Sequence, residues 1–135
     1  MIGLLVVTHG GLAEELVCAA RRIVPSPEPM ASVALDWDED PQQIQERIAE
    51  ALEVFDAEAV IIATDMLGGT PANLAMTFLE QGRVEVVTGV NLPMVIKFSN
   101  RTRELTLDEL ARTLAEKGRS HITVAGEILA GQQEG

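Results

Sequence analysis

The sequence has one cysteine, few aromatic residues and few basic residues, and each shortage excludes a class of protein. The single cysteine, Cys18, cannot form an internal disulfide framework. With 10 basic and 21 acidic residues, the net charge of −11 excludes the basic surface by which nucleic-acid binders displace counterions. Because the chain has no Tyr, one Trp and three Phe, we do not expect an aromatic platform that stacks bases or sugars.

Long apolar runs and processing signals are also missing. No apolar run reaches the roughly 18 residues that a membrane-spanning helix needs. The first residues, Met1 to Val7, have neither the basic start nor the small-residue cleavage site of a signal peptide. We therefore expect a cytoplasmic protein that does not insert into a membrane and does not bind nucleic acid.

Short apolar runs alternate with segments of helical periodicity along the chain. Ile2 to Val7 and Ala59 to Thr64 are apolar almost throughout, which is typical of central parallel strands buried on both faces. Strict strand–helix alternation predicts an α/β fold, a doubly wound, mainly parallel sheet with helices on both faces. Right-handed crossovers, with the two most apolar strands side by side, predict the strand order 2-1-3-4.

The length of 135 residues fits a single domain, and no linker or repeat divides the sequence. We expect this domain to span residues 1–130 and residues 131–135 to form a flexible tail. Two helix starts carry capping signals. Asp40 precedes Pro41, and Thr106 is followed three residues later by Glu109 in a capping-box pattern.

A histidine and an aspartate follow the two central strands of the predicted sheet. His9 comes after the first strand and Asp65 after the third. In the order 2-1-3-4 the chain leaves these two strands in opposite directions, so that their carboxyl ends form the crevice where ligands bind in such sheets. We therefore expect the two side chains to meet there.

A carboxylate that accepts a hydrogen bond from one imidazole nitrogen leaves the lone pair of the other nitrogen exposed. Such a histidine can act as a general base, a metal ligand or a nucleophile. The sequence has no Gly-x-Ser-x-Gly elbow for a triad hydrolase and no His-x-x-x-His or Cys-x-x-Cys spacing, so we expect no metal. It also lacks the phosphate-binding loops of nucleotide sites, and we expect no cofactor.

Two glycine pairs favour the nucleophile interpretation. Each pair precedes a predicted helix start, where backbone N–H groups and the helix dipole bind anions. Neither loop contains Lys or Arg, which suits a phosphoryl group that is passed on again. The hydroxyl of the residue after the second pair is also expected to cap its helix, and the two roles are compatible. The predicted phosphate-binding residues are Gly10, Gly11, Gly68, Gly69 and Thr70.

Three segments, Val6 to Gly10, Asp65 to Asn73 and Gly89 to Met94, occur in a specific order and spacing. Together they resemble the enzyme IIA domain of the mannose family of the bacterial phosphoenolpyruvate-dependent sugar phosphotransferase system. The resemblance extends from Met1 to about Leu129, so the domain over residues 1–130 is identified as a IIA domain.

The resemblance implies a phosphotransferase component with a phosphohistidine intermediate. His9 would accept a phosphoryl group from the phosphocarrier protein HPr and pass it to a IIB protein for sugar uptake. Asp65 would orient the histidine, and Thr70 would lie near the phosphate. The resemblance further implies a homodimer that exchanges an antiparallel edge strand, and residues around Ile122 to Val124 are the candidate for that strand.

Two functions other than uptake remain open. Some relatives carry a fused IIB domain, whereas this sequence ends at Gly135, so we expect the IIB partner on a separate chain. The protein could instead be a regulatory IIA-like domain whose His9 phosphorylation state controls a partner protein. A small flavodoxin-like ligand-binding domain is the third alternative.

Overall fold

A four-stranded parallel sheet forms the centre of the protein in a computed structural model that describes residues 1–55, 57–101 and 104–134. The strand order is β2-β1-β3-β4, and each neighbouring pair is parallel. The predicted doubly wound α/β fold and its strand order are therefore confirmed. The strands are β1 (Ile2–His9), β2 (Met30–Leu35), β3 (Ala59–Thr64) and β4 (Val84–Thr88).

The described residues form six α-helices, which surround the sheet or follow it. Helices α1, α4 and α5 cover one face, whereas α2 and α3 cover the other. A short 3₁₀ turn over Met76–Phe78 continues α3. None of the described helices is both long enough and apolar enough to cross a membrane. The helices are α1 (Leu12–Ile23), α2 (Pro41–Val54), α3 (Thr70–Ala75), α4 (Leu92–Asn100), α5 (Leu107–Ser120) and α6 (Ala125–Glu134).

The two central strands are buried on both faces, and this explains their apolar sequences. In β1, Leu4 and Val6 pack towards α1, α4 and α5, whereas Leu5 and Val7 pack towards α2 and α3. All four side chains are 0% exposed. The same alternation continues in β3, where every residue is buried. A strand that needs apolar residues at every position is the expected signature of the centre of a parallel sheet.

The two predicted capping sites are confirmed. Asp40 Oδ1 accepts a hydrogen bond of 2.8 Å from the Gln43 N–H at the start of α2. Thr106 Oγ1 accepts one of 3.2 Å from the Glu109 N–H at the start of α5. Both form complete capping boxes, which satisfy backbone donors that have no partner within the helix.

The segment after α5 forms no strand within the described residues. Ile122 to Val124 are exposed and lie outside the sheet. The antiparallel edge strand that a homodimer is expected to exchange stays a prediction. Helical turns use the backbone at both ends of the segment. The Ile122 N–H donates to the Arg119 carbonyl at 3.1 Å, and the Glu127 N–H donates to the Val124 carbonyl at 3.0 Å.

Helix α6 extends to Glu134 and therefore occupies most of the segment that we predict as a tail over residues 131–135. Gly135 lies outside the described residues. The flexibility of the tail stays a prediction. The side chains of residues 121–131 are all exposed, so this part of the chain does not contribute to the buried core.

Two completely buried threonines mark the carboxyl ends of β1 and β3. Thr8 Oγ1 accepts a hydrogen bond of 2.7 Å from the Ala13 N–H and so satisfies a donor in the first turn of α1. Thr64 Oγ1 has no hydrogen-bond partner within the described part of the chain. The two hydroxyls have the same burial but differ in their bonding, so they provide a matched pair for a stability measurement.

We expect Thr8→Val to lower the free energy of unfolding by about 1–3 kcal/mol, because the Ala13 N–H would remain buried without an acceptor. Thr64→Val should leave the free energy of unfolding unchanged or raise it, because the substitution removes a polar group that is buried and unpaired. Urea unfolding monitored by circular dichroism measures both values. Equal losses in the two variants would contradict this assignment.

Candidate functional site

The site lies at the carboxyl edge of the sheet, where β1 and β3 end. His9 is the last residue of β1, and Asp65 directly follows β3. His9 Nδ1 lies 2.7 Å from Asp65 Oδ2, and the side chains are 27% and 13% exposed, respectively. The structure thus brings together the two residues that the strand order places at this crevice, and it leaves the imidazole accessible to solvent.

Three hydrogen bonds hold the Asp65 carboxylate in place. Oδ2 accepts from the His9 backbone N–H at 2.9 Å as well as from the imidazole, and Oδ1 accepts from the Met66 N–H at 2.9 Å. An ionised carboxylate can only accept hydrogen bonds, so Nδ1 of His9 carries a proton. The lone pair of the neutral imidazole is therefore on Nε2.

The surroundings of Asp65 shift the pKa of its carboxyl group. Burial raises this pKa, but it is lowered by the hydrogen bonds from the His9 backbone and imidazole, by attraction to the His9 ring when that ring is protonated, and by the Met66 N–H. The net result is a pKa below the ordinary value of an aspartate. Asp65 therefore stays ionised at neutral pH and keeps His9 in the tautomer with its proton on Nδ1.

Gly69 lies against the histidine ring. A Cβ atom at this position would lie 3.0 Å from His9 Cε1, which is closer than ordinary van der Waals contact. Gly68 has φ +87, a backbone conformation that favours glycine. The second glycine pair therefore combines a sharp turn with a close approach to the imidazole.

The first glycine pair differs from the second. Gly10 has φ +57, and its N–H donates to the Leu35 carbonyl at 2.8 Å. This N–H is therefore occupied by the backbone and is not free to bind a phosphoryl group, which corrects its predicted role as a donor. Gly11 is the N-cap residue of α1, and a Cβ atom at this position would meet nothing within 4 Å.

Thr70 is the first residue of α3, and Gly69 is the N-cap residue. The prediction that Thr70 caps the helix is therefore wrong by one position. Gly69 has φ −81 and ψ 163, an extended conformation that ends the loop one residue earlier. Thr70 is exposed, and no side-chain hydrogen bond caps α3.

Trp37 is a site residue that the sequence analysis does not identify. Its indole ring stacks on the His9 imidazole, with ring centroids 5.1 Å apart and an angle of 23° between the planes. The sequence shows only an acidic turn at this position. The available signal was topological: the turn follows β2, the neighbour of β1, and therefore lies at the same edge of the sheet as His9.

The segment Gly89 to Met94, the third of the three segments in the resemblance, has a structural role in this chain. Asn91 Oδ1 accepts from the Met94 N–H at 3.1 Å and so caps α4. Asn91 Nδ2 donates to the Gly118 carbonyl at 3.0 Å and so joins the start of α4 to α5. An asparagine suits this turn because its side chain has both an acceptor for the helix cap and a donor for the contact to α5.

A family model described as the PTS system fructose IIA component matches residues 3–115. The match covers well over half of the chain and includes both loops of the site. The chain belongs to this family. Membership supports a phosphocarrier role for this IIA component in the sugar phosphotransferase system.

Individual relatives agree with this placement. The PTS system fructose-specific EIIA component of Bacillus subtilis (strain 168) is 28% identical over 131 residues, which cover 96% of this chain and 90% of that protein. The PTS system mannose-specific EIIAB component of Escherichia coli (strain K12) is 27% identical over 124 residues. That match covers 90% of this chain but only 38% of the E. coli protein.

A solved structure shows the same architecture. The mannose/sorbose specific IIA subunit of the phosphotransferase system from Enterococcus faecalis is similar to this IIA component with a TM-score of 0.82 and 31% sequence identity. The similarity covers 90% of this chain and 92% of that chain. The shared fold therefore extends over most of both chains.

The lowered pKa of Asp65 predicts how the stability of the IIA component depends on pH. A lowered pKa in the folded state contributes stability above the unfolded-state pKa of about 3.9, and this contribution is lost as the pH falls through the folded-state pKa. We expect Asp65→Asn to melt at a lower temperature than the unchanged protein at pH 7. The difference should shrink below about pH 4. A constant difference from pH 7 to pH 3 would contradict this reasoning.

The close contact at Gly69 predicts a selective effect of a methyl group. Gly69→Ala should displace the imidazole from Asp65, because the new Cβ would lie 3.0 Å from His9 Cε1. Gly11→Ala is the matched control, since nothing lies within 4 Å of its Cβ position and its φ is −78. NMR signals of the His9 ring should shift in the first variant and stay unchanged in the second.

Proposed function

We propose that this protein is a phosphocarrier that takes a phosphoryl group from phospho-HPr on His9 Nε2 and passes it to a IIB protein. The observation that carries the proposal is the 2.7 Å contact between His9 Nδ1 and Asp65 Oδ2. This contact occupies Nδ1 and leaves Nε2 as the nucleophilic nitrogen. The protein is then an enzyme of the phosphotransferase class with a phosphohistidine intermediate.

The transfer step needs no further reactant. The Nε2 lone pair attacks phosphorus, the bond from phosphorus to the donor nitrogen breaks, and its electron pair stays on the donor histidine. Because Nδ1 keeps its proton, the phosphorylated imidazole carries a positive charge. The Asp65 carboxylate accepts the hydrogen bond from Nδ1 and stabilises this charge. Transfer to the IIB protein is the same displacement with His9 as the leaving group.

The surroundings of Nε2 suit a group that is held only briefly. Backbone donors at Gly11, Gly68 and Gly69 and the exposed Thr70 hydroxyl are the proposed contacts of the phosphoryl group. The N-terminus of α1 adds a favourable dipole. Residues 9–12 and 65–71 contain no Lys or Arg, so no cation of these loops opposes the release of the phosphoryl group.

The proposed setting is the cytoplasm, with HPr as donor and IIB as acceptor. The homodimer stays a prediction. Exposed apolar side chains on the C-terminal segment support it, because a second copy of the chain would remove them from water. These side chains are Ile122, Val124, Ile128 and Leu129, which are between 45% and 77% exposed.

Intact mass spectrometry after incubation with phosphoenolpyruvate, enzyme I and HPr tests the proposal. We expect a gain of one phosphoryl group that is lost in acid and absent in His9→Ala. His121→Ala is the matched control, since His121 is the other histidine of the chain and is exposed at the end of α5. Phosphorylation that persists in His9→Ala would rule out this assignment of the nucleophile.

A second stage of the same experiment separates transport from regulation. Adding a IIB protein should discharge the phosphorylated protein if it works in sugar uptake. Charging by HPr without discharge to IIB would instead favour the regulatory function. Asp65→Ala should slow charging, while the circular dichroism spectrum of the fold is kept.

A further inference from the structure

Trp37 lies in the connection between β2 and α2 and has a position that core packing does not explain. Its side chain is 79% exposed, although it is the only tryptophan of the chain. One face of its ring lies over the His9 imidazole, at a centroid distance of 5.1 Å. This distance falls within the range at which aromatic rings attract each other in stacked arrangements.

The backbone on both sides of Trp37 is held by hydrogen bonds. The Leu35 carbonyl accepts a hydrogen bond from the Gly10 N–H at 2.8 Å, which joins the end of β2 to the residue that follows His9. The Glu39 carboxylate accepts from the Asp36 N–H at 2.8 Å and also pairs with Arg47. The indole is therefore presented to His9 from an anchored turn, even though most of its own surface is open to water.

We propose that Trp37 is a positioning residue that holds the His9 ring in its orientation towards Asp65 and stabilises the ring when it is phosphorylated. This inference rests on the proposed function of His9. Each contact restrains a different part of the imidazole. Asp65 binds the Nδ1 edge, and Trp37 covers one face.

The electrostatic part of the effect follows from the charge of the phosphorylated ring. When Nε2 bonds to phosphorus and Nδ1 keeps its proton, the imidazole becomes a cation. The face of an indole ring attracts cations more strongly than the faces of other aromatic side chains. Trp37 therefore favours the phosphorylated form of His9 over the neutral form. Asp65 has the same effect, but it acts at the edge of the imidazole, whereas Trp37 acts at its face.

NMR spectroscopy of the unphosphorylated protein tests the contact without relying on the proposed function. The carbon-bound ring protons of His9 should be shifted upfield by the ring current of Trp37. The shift should be lost in Trp37→Leu and largely kept in Trp37→Phe. Leu67→Ala, at a loop position that is 69% exposed, is the control for losing an exposed apolar side chain at this edge of the sheet. Unchanged His9 signals in Trp37→Leu would overturn the proposal.

A small phosphoryl donor separates positioning from protein docking. Phosphoramidate phosphorylates histidine without a protein surface, so Trp37 can act in that reaction only through His9. We expect Trp37→Leu to shorten the lifetime of the phosphohistidine by roughly two- to five-fold, the size of an exposed cation–π contact, and Trp37→Phe to restore most of it. A defect with phospho-HPr alone, seen as a higher KM with an unchanged phosphoramidate reaction, would show that Trp37 is a docking contact and overturn the proposal.

Failure of the two ideas can be told apart. If His9 of the unchanged protein accepts no phosphoryl group from either donor, the proposed function fails. The ring-current shift then still decides whether Trp37 orients His9. If His9 is phosphorylated normally in Trp37→Leu with an unchanged lifetime, the proposed function stands and the role of Trp37 is excluded.

Discussion

The adjacency of β1 and β3 is the constraint on which the site depends. Val7 lies opposite Thr64 in the parallel register, so the residues that follow the two strands emerge side by side. Helices on both faces keep these strands central, and this is why the strands are apolar on both sides. Because the two strands end side by side, His9 Nδ1 lies within hydrogen-bond distance of Asp65 Oδ2.

The site holds the His9 ring firmly, but its two loops, residues 9–12 and 65–71, contain no Lys or Arg. The imidazole is restrained by a carboxylate at one edge and an indole on one face. The contacts that we propose for the phosphoryl group are, in contrast, only backbone donors and one exposed hydroxyl. Rigid positioning of the nucleophile lowers the cost of reaching the transition state, whereas loose binding of the transferred group keeps the reaction reversible.

Sequence reasoning succeeded where periodicity and topology carry the information. The apolar runs of β1 and β3 predict the strand order, and the strand order predicts that His9 and Asp65 meet. Sequence reasoning failed where the outcome depends on a single backbone angle or on a tertiary contact. The occupied Gly10 N–H depends on a carbonyl of β2, and the start of α3 depends on one ψ angle at Gly69. Trp37 could not be identified from the sequence, because a single aromatic residue in a turn belongs to no helical or strand periodicity.

The wide sequence separation of the paired residues also links chemistry to folding. His9 and Asp65 are 56 positions apart, and two helices and two strands lie between them, namely α1, β2, α2 and β3. Closing such a loop is a non-local event that local helix formation cannot replace. A nascent or partly unfolded chain therefore has its histidine but not the aligned carboxylate. Under the proposed function, competence for phosphoryl transfer arises only when the two halves of the sheet have joined, so a partly folded chain would not take phosphoryl groups from the donor.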